Sequence, residues 1–400
     1  MARQPAPLVA LVESASAMGG VEFSTLYLAE HCDPGQFRVA VICPVEGDLP
    51  QRCRALDIPV AIVAQPRQLS TSVRFGQVYL PNPAAWLFNG LGLFPTARRL
   101  ARQLRNMGAD LICTKGLYAH FAGGLAATWA GVPCVCHVQD LVSERAGKLY
   151  PAILGTAARW WARALIADGT GIADQLRPYY PNGQITLIHN GVDTHQFSPD
   201  VDGGTVRQEW GIGDDEILIG QVARLTPWKG QDLAIRAFAQ VAREFGSLRL
   251  VLIGTPLFDT GAYERELRQL VRDLQLDGLV LFAGFRWDLP AVLAALDVYL
   301  HPSLSKDTSP LALVSAMASG KAIVASNVPG IAEVMGAANT AILVAPGHVA
   351  SLAAGLRQIL ADPQMRAALG RHARRQAENE LAVEVFARRC EAVFQRALAA

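Results

Sequence analysis

Residues 216–241 read EILIGQVARLTPWKGQDLAIRAFAQV. An apolar run ends at Val222, a loop crosses Arg224 to Gly230, and a helical pattern follows. Apolar runs this short suit parallel strands covered on both faces. The same strand-then-helix unit recurs along the chain. Strand candidates in the first half are 8–13, 38–43, 59–63, 109–113, 133–136, 164–168 and 185–188. In the second half they are 216–222, 249–254, 279–283, 298–301, 322–325 and 341–344. Amphipathic stretches at 21–32, 95–107, 118–130 and 170–180 separate strands of the first series. The alternation predicts an α/β chain of two doubly wound parallel-sheet domains. Their junction falls in HNGVDTHQFSPDVDGG, residues 189–204, which is rich in turn formers. Residues 64–94 read as an excursion from the first sheet, and 363–400 as two helices. In such sheets ligands bind beyond the carboxyl ends of the strands. Two such domains predict a cleft with loops on each wall, which suits a two-substrate enzyme.

Composition narrows the class. The chain has 400 residues, 51% of them apolar and 18% charged, so large cores are expected and disorder is not. Lys+Arg number 36 against 35 Asp+Glu, a net charge of +1, which argues against a broad basic face for nucleic acid. The seven cysteines (Cys32, Cys43, Cys53, Cys113, Cys134, Cys136 and Cys390) are odd in number and lack disulfide spacing, so a reducing, cytoplasmic setting is expected. The N-terminal MARQPAPLVALVESASAMGG reads as a first strand, not a signal peptide. Gly116 to Gln139 is uncharged but carries two His, a Pro and several Gly, unlike a span of about 20 apolar residues.

Three stretches carry chemistry. Met18-Gly19-Gly20-Val21-Glu22 follows the first strand and opens a helix, so its backbone can approach an anionic group. Arg224 and Lys229 flank a loop, where a planar fork and a point charge can converge on one diphosphate without metal. Two solvated loop cations are the plainer alternative. His301-Pro302-Ser303-Leu304-Ser305-Lys306-Asp307-Thr308-Ser309-Pro310-Leu311 ends a strand and leads into a helix from about Pro310 to Ser319, closed by Gly320. Asp307 and the N–H groups of Thr308 to Leu311 are placed to hold sugar hydroxyls and phosphate. Capping of that helix by Asp307 or Ser309 is the plainer reading. No GxGxxG fingerprint occurs, which argues against a dinucleotide-dependent dehydrogenase.

The order GG near the N-terminus, IHNGVD, ARLTPWKG, VLIG, FAGF, HPS…SAMASGKAIVAS and NVPGIAEV resembles the GT-B glycosyltransferases of family 4. The resemblance covers most of the chain and is strongest across 186–335. It implies a retaining transferase that takes a nucleotide-sugar donor, with Arg224 and Lys229 gripping the diphosphate and Gly19 and Gly20 closing over it. It further implies His137 near the transferred sugar, Gly254 among the donor-binding residues, and Arg286 in the loop that holds the nucleobase. Residues 1–194 would bind acceptor, 195–380 would bind donor, and 381–400 would pack back on the first domain. The family carries a pair of glutamates separated by seven residues, and here those positions are Asp307 and Ser315. Ser315 lacks the carboxylate expected to accept from the ribose hydroxyls. A charge-assisted hydrogen bond contributes about 1.5–3 kcal/mol against about 1 kcal/mol for a neutral one, so over both ribose hydroxyls donor binding would weaken roughly tenfold to a hundredfold.

No nucleophilic carboxylate emerges, and the resemblance implies front-face attack, with the departing phosphate helping to take the acceptor proton; Asp140 would orient the acceptor or act as base, or equally cap a helix. No cofactor or metal is expected; the one Asp-x-Asp, Asp200-Val201-Asp202, lies in the junction. Acceptors would be cell-surface glycans, glycolipids or small molecules, and nucleic acid is not expected. Arg98, Arg102 and Arg105 at helical spacing beside Arg99, and Arg159-Trp160-Trp161-Ala162-Arg163, suggest peripheral contact with the inner face of the plasma membrane, with solvated helix faces and buried Trp as the equal alternative. Rival functions are a nucleotide-sugar epimerase, a phosphorylase-like enzyme, and a catalytically impaired partner subunit suggested by Ser315.

Overall fold

The structure is a computed structural model that describes residues 5–66, 69, 72–75, 78–139, 149–256, 261–305, 307–336 and 339–400. It divides into one unit of residues 1–191 and 383–400 and a second of residues 192–382.

The first unit begins β1 (Leu8–Glu13), α1 (Gly20–His31), β2 (Arg38–Cys43), α2 (Asp48–Ala55) and β3 (Val60–Ile62). A hairpin of β4 (Ser72–Phe75) and β5 (Val78–Pro81) leads into the long α3 (Pro83–Met107). Then come β6 (Leu111–Lys115), α4 (Leu117–Ala130), β7 (Cys134–Val138), α5 (Leu149–Trp161), β8 (Ala162–Ala167), α6 (Thr170–Leu176) and β9 (Gln184–Leu187). Seven parallel strands lie in the order β3-β2-β1-β6-β7-β8-β9. The order reverses direction between β1 and β6, the kind of switch point where doubly wound sheets bind ligands.

The second unit runs α7 (Gly204–Glu209), β10 (Ile217–Val222), α8 (Gln231–Val241), β11 (Leu248–Ile253), α9 (Ala262–Asp273), β12 (Val280–Gly284) and α10 (Leu289–Ala295). It continues with β13 (Val298–His301), α11 (Leu311–Ala318), β14 (Ala322–Ser326), α12 (Pro329–Met335), β15 (Ile342–Val344), α13 (Val349–Ala361) and α14 (Pro363–Glu380). Its six parallel strands are ordered β12-β11-β10-β13-β14-β15, with the switch between β10 and β13. The chain thus has two Rossmann-like sheets, as the alternation of the sequence requires. The hairpin β4–β5 and the extension of α3 back to Pro83 fall inside the excursion at 64–94. Asn82 starts that helix by accepting a hydrogen bond from Ala85 N at 3.3 Å.

Both faces of each sheet are covered, which is why the strands are continuous apolar runs. On one face of the first sheet, Leu100, Leu104, Ala119, Ala126, Leu154 and Ile172 bury against Ala10, Ile112 and Leu165. On the other face, Leu28 and Leu49 pack with Phe386, Cys390, Val393 and Phe394 of the last helix, α15 (Val383–Ala399). That helix therefore belongs to the first unit, because its apolar stripe completes the first unit's core. All seven cysteines are buried with free thiols, acting as small apolar residues. No helix among the described residues is long and apolar enough to cross a membrane.

Candidate functional site

In the second unit, the ends of β10 and β13 at the switch point bring together Lys229 and Asp307, two residues the sequence singles out. Lys229 ends a short turn, Pro227–Lys229, and Gly230 follows in a left-handed conformation, φ 69°. A side chain at Gly230 would meet the Pro302 carbonyl oxygen at 2.2 Å, so the loop carrying Lys229 presses against the loop after β13. Gln221 on β10 fixes the same loop by donating to the Lys229 carbonyl at 2.8 Å, and Gln231 does so by donating to that of Arg224 at 2.8 Å. Leu304 N donates to the Trp228 carbonyl at 2.9 Å.

This geometry places Lys229 Nζ 2.5 Å from Asp307 Oδ1, across 78 positions of sequence. The second carboxylate oxygen faces His301 Nε2 at 2.8 Å and accepts from Ser303 Oγ. The Trp228 ring lies 4.2 Å from Lys229 Nζ, a cation–π contact. Lys229, Asp307, His301 and Ser303 are all buried, whereas Arg224 is exposed. Burial alone would raise the Asp307 carboxyl, but the Lys229 charge and the His301 hydrogen bond outweigh it and hold it well below the usual carboxylate range. Burial lowers the Lys229 ammonium from its ordinary value, with Asp307 opposing. Burial likewise lowers His301. A neutral imidazole beside an ionised carboxylate donates from Nε2, which leaves the buried Nδ1 as a lone pair with no partner among the described residues. Lys229 is thus not a solvated loop cation, and Asp307 does not cap a helix. The cap position of α11 is Pro310, whose own side chain makes no cap hydrogen bond, and Leu313 N and Val314 N both donate to its carbonyl.

The other donor-side residues fall nearby or elsewhere. Gly254 ends β11 at φ 139°, and a side chain there would meet the Ala223 oxygen at 2.0 Å, directly before Arg224. Thr308, Ser309 and Ser315 are buried, and Leu311 is half-buried at the start of α11. The motif NVPG is explained by Gly330, where a Cβ would meet the Asp307 oxygen at 2.2 Å. Arg286 was expected near the nucleobase; its guanidinium is bonded to Glu209 and Asp288, at 2.7 Å for Asp288, and both carboxylates raise its already high pKa. Any contribution of Arg286 runs through this cluster.

In the first unit, Gly19 precedes α1 with an extended backbone, φ −145°, and Gly20 is its first residue. Neither needs a glycine for its backbone angles, and a Cβ at Gly20 would meet nothing within 4 Å. A Cβ at Gly19 would instead meet Glu22 Oε2 at 2.9 Å. His137, at the end of β7, is fully buried and lies 2.7 Å from Asp168 Oδ1. Burial first, then the Lys115 charge, lowers its pKa against the pull of Asp168. Asp168 also accepts from Gln139 Nε2 at 3.1 Å and Asn190 Nδ2 at 2.9 Å, while His189 Nδ1 lies 2.7 Å from its backbone oxygen. Lys115 Nζ donates to Ser24 Oγ at 3.0 Å, and Gln139 Nε2 reaches the same oxygen at 3.1 Å. Glu13 sits opposite Lys115 in the β1–β6 register and accepts from Thr25. Asp140 lies outside the described residues.

Sequence reasoning found His137 but missed Glu13, Lys115, Asp168, Gln139 and Asn190, and gave His301 and Ser303 no role. A signal was present: a titratable side chain closes or directly follows an apolar strand at LVALVE, LICTK, ALIAD and VYLH. A parallel strand's carboxyl end is where such a group points at a ligand. Two outcomes follow. Replacing Asp168 by Asn removes the charge that three donors share, so unfolding at neutral pH should show a loss of about 2–3 kcal/mol. A loss below about 1 kcal/mol would mean the network is not structural. Glu13 is pushed up by burial from 4.5 to about 8. Its folded value lies above its unfolded one, so its contribution to stability is complete below pH 4.5 and fades as pH rises towards about 8. Glu13→Gln should therefore gain Tm relative to the parent between about pH 5 and pH 8; a flat difference would refute the shift.

Known proteins supply the class. In solved structures, the chain superposes on HepE from Anabaena, in complex with UDP and glucose, with TM-score 0.81 and 25% identity over 96% of this chain and 99% of that one. Sucrose-phosphate synthase from Thermosynechococcus elongatus shares the fold, with TM-score 0.76 and 20% identity over 98% and 99%. The fold class is the GT-B pair of Rossmann-like domains. Residues 18–196 match the model of Glycosyltransferase Family 4 and residues 204–376 that of Glycosyl transferases group 1. The 2-deoxystreptamine glucosyltransferase of Streptomyces kanamyceticus is 31% identical over 65% of this chain and 70% of its own. The GDP-mannose-dependent alpha-(1-6)-phosphatidylinositol monomannoside mannosyltransferase of Mycolicibacterium smegmatis is 31% identical over 48% of this chain and 50% of its own. The chain thus spans about half the length of several curated relatives it matches. The protein belongs to the group 1, family 4 glycosyltransferases.

Proposed function

We infer that the protein moves a sugar from a UDP- or GDP-type donor to an acceptor hydroxyl with retention, in cell-surface polysaccharide or glycolipid assembly at the inner face of the plasma membrane. The observation that carries this reading is the Lys229–Asp307 pair at the switch point of the second sheet, five residues after the exposed Arg224. The donor diphosphate meets the Arg224 fork, the Lys229 charge and the start of α11. These fixed positive groups stabilise the leaving diphosphate as the bond to the anomeric carbon breaks. Asp307, besides keeping Lys229 charged, accepts from sugar hydroxyls. The acceptor oxygen bonds to the anomeric carbon on the face the diphosphate leaves, and its proton passes to a departing phosphate oxygen. Two cations on one diphosphate make a metal unnecessary.

A catalytically impaired subunit is the second reading, favoured by Ser315, which is buried on α11 where the family has a carboxylate. One experiment separates them. Thermal shift against UDP-, GDP-, ADP- and dTDP-sugars should reveal one stabilising base, and transfer with that donor, in chelator, should give a product whose anomeric configuration matches the donor. Ser315→Glu should tighten that donor about tenfold or more. No stabilisation by any donor, in the parent or in Ser315→Glu, would support the impaired reading. Activity that returns only with added divalent metal would overturn the metal-free grip.

A further inference from the structure

One face of α3 is unlike the rest of the surface. Leu87, Leu91 and Phe94 are 67%, 62% and 59% exposed, and Phe88 beside them is 50% exposed. Arg98, Arg102 and Arg105 continue the same row, with Arg99 flanking it. At about 100° per residue, the six positions 87, 91, 94, 98, 102 and 105 fall within an arc of about 80°. The helix carries no Asp or Glu from Pro83 to Met107. Its opposite face is fixed in the core through Leu93, Thr96, Ala97, Leu100 and Leu104, against α4. The stripe is therefore a rigid surface and not a fraying end. Arg105 donates to the carbonyl of Trp129, a half-exposed indole at the end of α4. Arg98, Arg99 and Arg102 are exposed and make no ion pair among the described residues.

We propose that this stripe docks the protein on an anionic lipid bilayer. An interfacial helix buries its apolar residues at the headgroup–acyl boundary and sets cations among the lipid phosphates. Here the two functions lie end to end on one face. Leu87, Phe88, Leu91 and Phe94 enter the boundary, and the arginines one to three turns later reach the phosphates. A second protein copy would bring the same cations against each other, so like charge disfavours that occupant, whereas an anionic surface satisfies both halves at once. Each arginine near such a surface contributes about a fivefold gain in partitioning. The inference deepens the membrane-side location proposed above, yet stands on α3 alone and does not depend on sugar transfer.

The test is co-sedimentation of the full chain with vesicles of phosphatidylcholine, with and without about 30% phosphatidylglycerol. Binding should require the anionic lipid and fall as salt rises. Arg98→Glu/Arg102→Glu should lower partitioning by more than about twentyfold. Leu87→Ser/Leu91→Ser/Phe94→Ser should lower it at least tenfold, with Tm and oligomeric state unchanged in both variants because every replaced side chain is exposed. Parent protein that ignores anionic vesicles, or variants that bind as the parent does, would overturn the proposal. So would a dimer that the serine variant breaks while vesicle binding persists. Transfer to a water-soluble acceptor reports on the glycosyltransferase reading separately: intact transfer with no vesicle binding removes only this surface.

Discussion

Lys229→Met is expected to lower kcat/KM for sugar transfer by about 10²–10³-fold, the scale set by removing one fixed donor from a developing anion. It should also destabilise the second unit by about 3–5 kcal/mol, because it leaves the Asp307 carboxylate buried without its cation. The two effects have separate cures. Asp307→Asn added to Lys229→Met removes the stranded charge and should restore much of the stability, yet transfer should stay lost. The instability also carries a sign. Without Lys229 the folded Asp307 binds its proton more readily, so the penalty should shrink as pH falls and be largest at neutral pH. Denaturant unfolding at two pH values, beside steady-state transfer at saturating acceptor, reads all of this. Transfer within about fivefold of the parent would remove Lys229 from the mechanism, since that is less than one donor's contribution.

Gly254→Ala should destabilise the second unit by about 3–5 kcal/mol, on the scale of a backbone clash added to a glycine-only conformation. At φ 139° the residue lies where side chains are rarely tolerated, and the new methyl would meet the Ala223 oxygen at 2.0 Å and its carbon at 2.8 Å. The strand end cannot swing aside without loss, because Gly254 N donates to the Gly284 oxygen at 2.7 Å. Tm should fall by about 10 °C for a unit of this size. Any folded fraction should bind donor poorly, because Arg224 follows the displaced Ala223. Gly20→Ala makes the contrast. Its Cβ meets nothing within 4 Å, so stability should change by less than about 0.5 kcal/mol while donor affinity reports on close approach. Equal Tm for Gly254→Ala and the parent would show that the β10–β11 crossing is not tight.

Much of the site was legible as single residues and little of it as contacts. Lys229 and Asp307 were each marked, one as a loop cation and one as a hydroxyl ligand or cap, but neither reading predicted that they are buried against each other. The packing of Gly230 on Pro302 forces that pairing, and a contact between loops 72 positions apart leaves no local trace. His137 was marked only through resemblance. Its partner Asp168 arrives from the neighbouring strand, because β7 pairs with β8 and both strands end at the same level. At Arg286 nothing in the sequence hinted at the contacts made: its guanidinium pairs with both Glu209 and Asp288.

What the chain declares by itself is its architecture. Covered parallel strands must be short apolar runs and the crossovers must be amphipathic, and both are local properties; the seven and six strands of the two sheets are therefore readable from position alone. Strand order, and with it the company each polar strand end keeps, belongs to the folded molecule. Glu13 meets Lys115 only because β6 docks beside β1, and α15 completes the first core because its apolar stripe fits Phe37 and Leu28, not because of where it stands in the chain. Periodicity encodes which face of an element is buried; the partner on that face is chosen by packing summed over the whole unit.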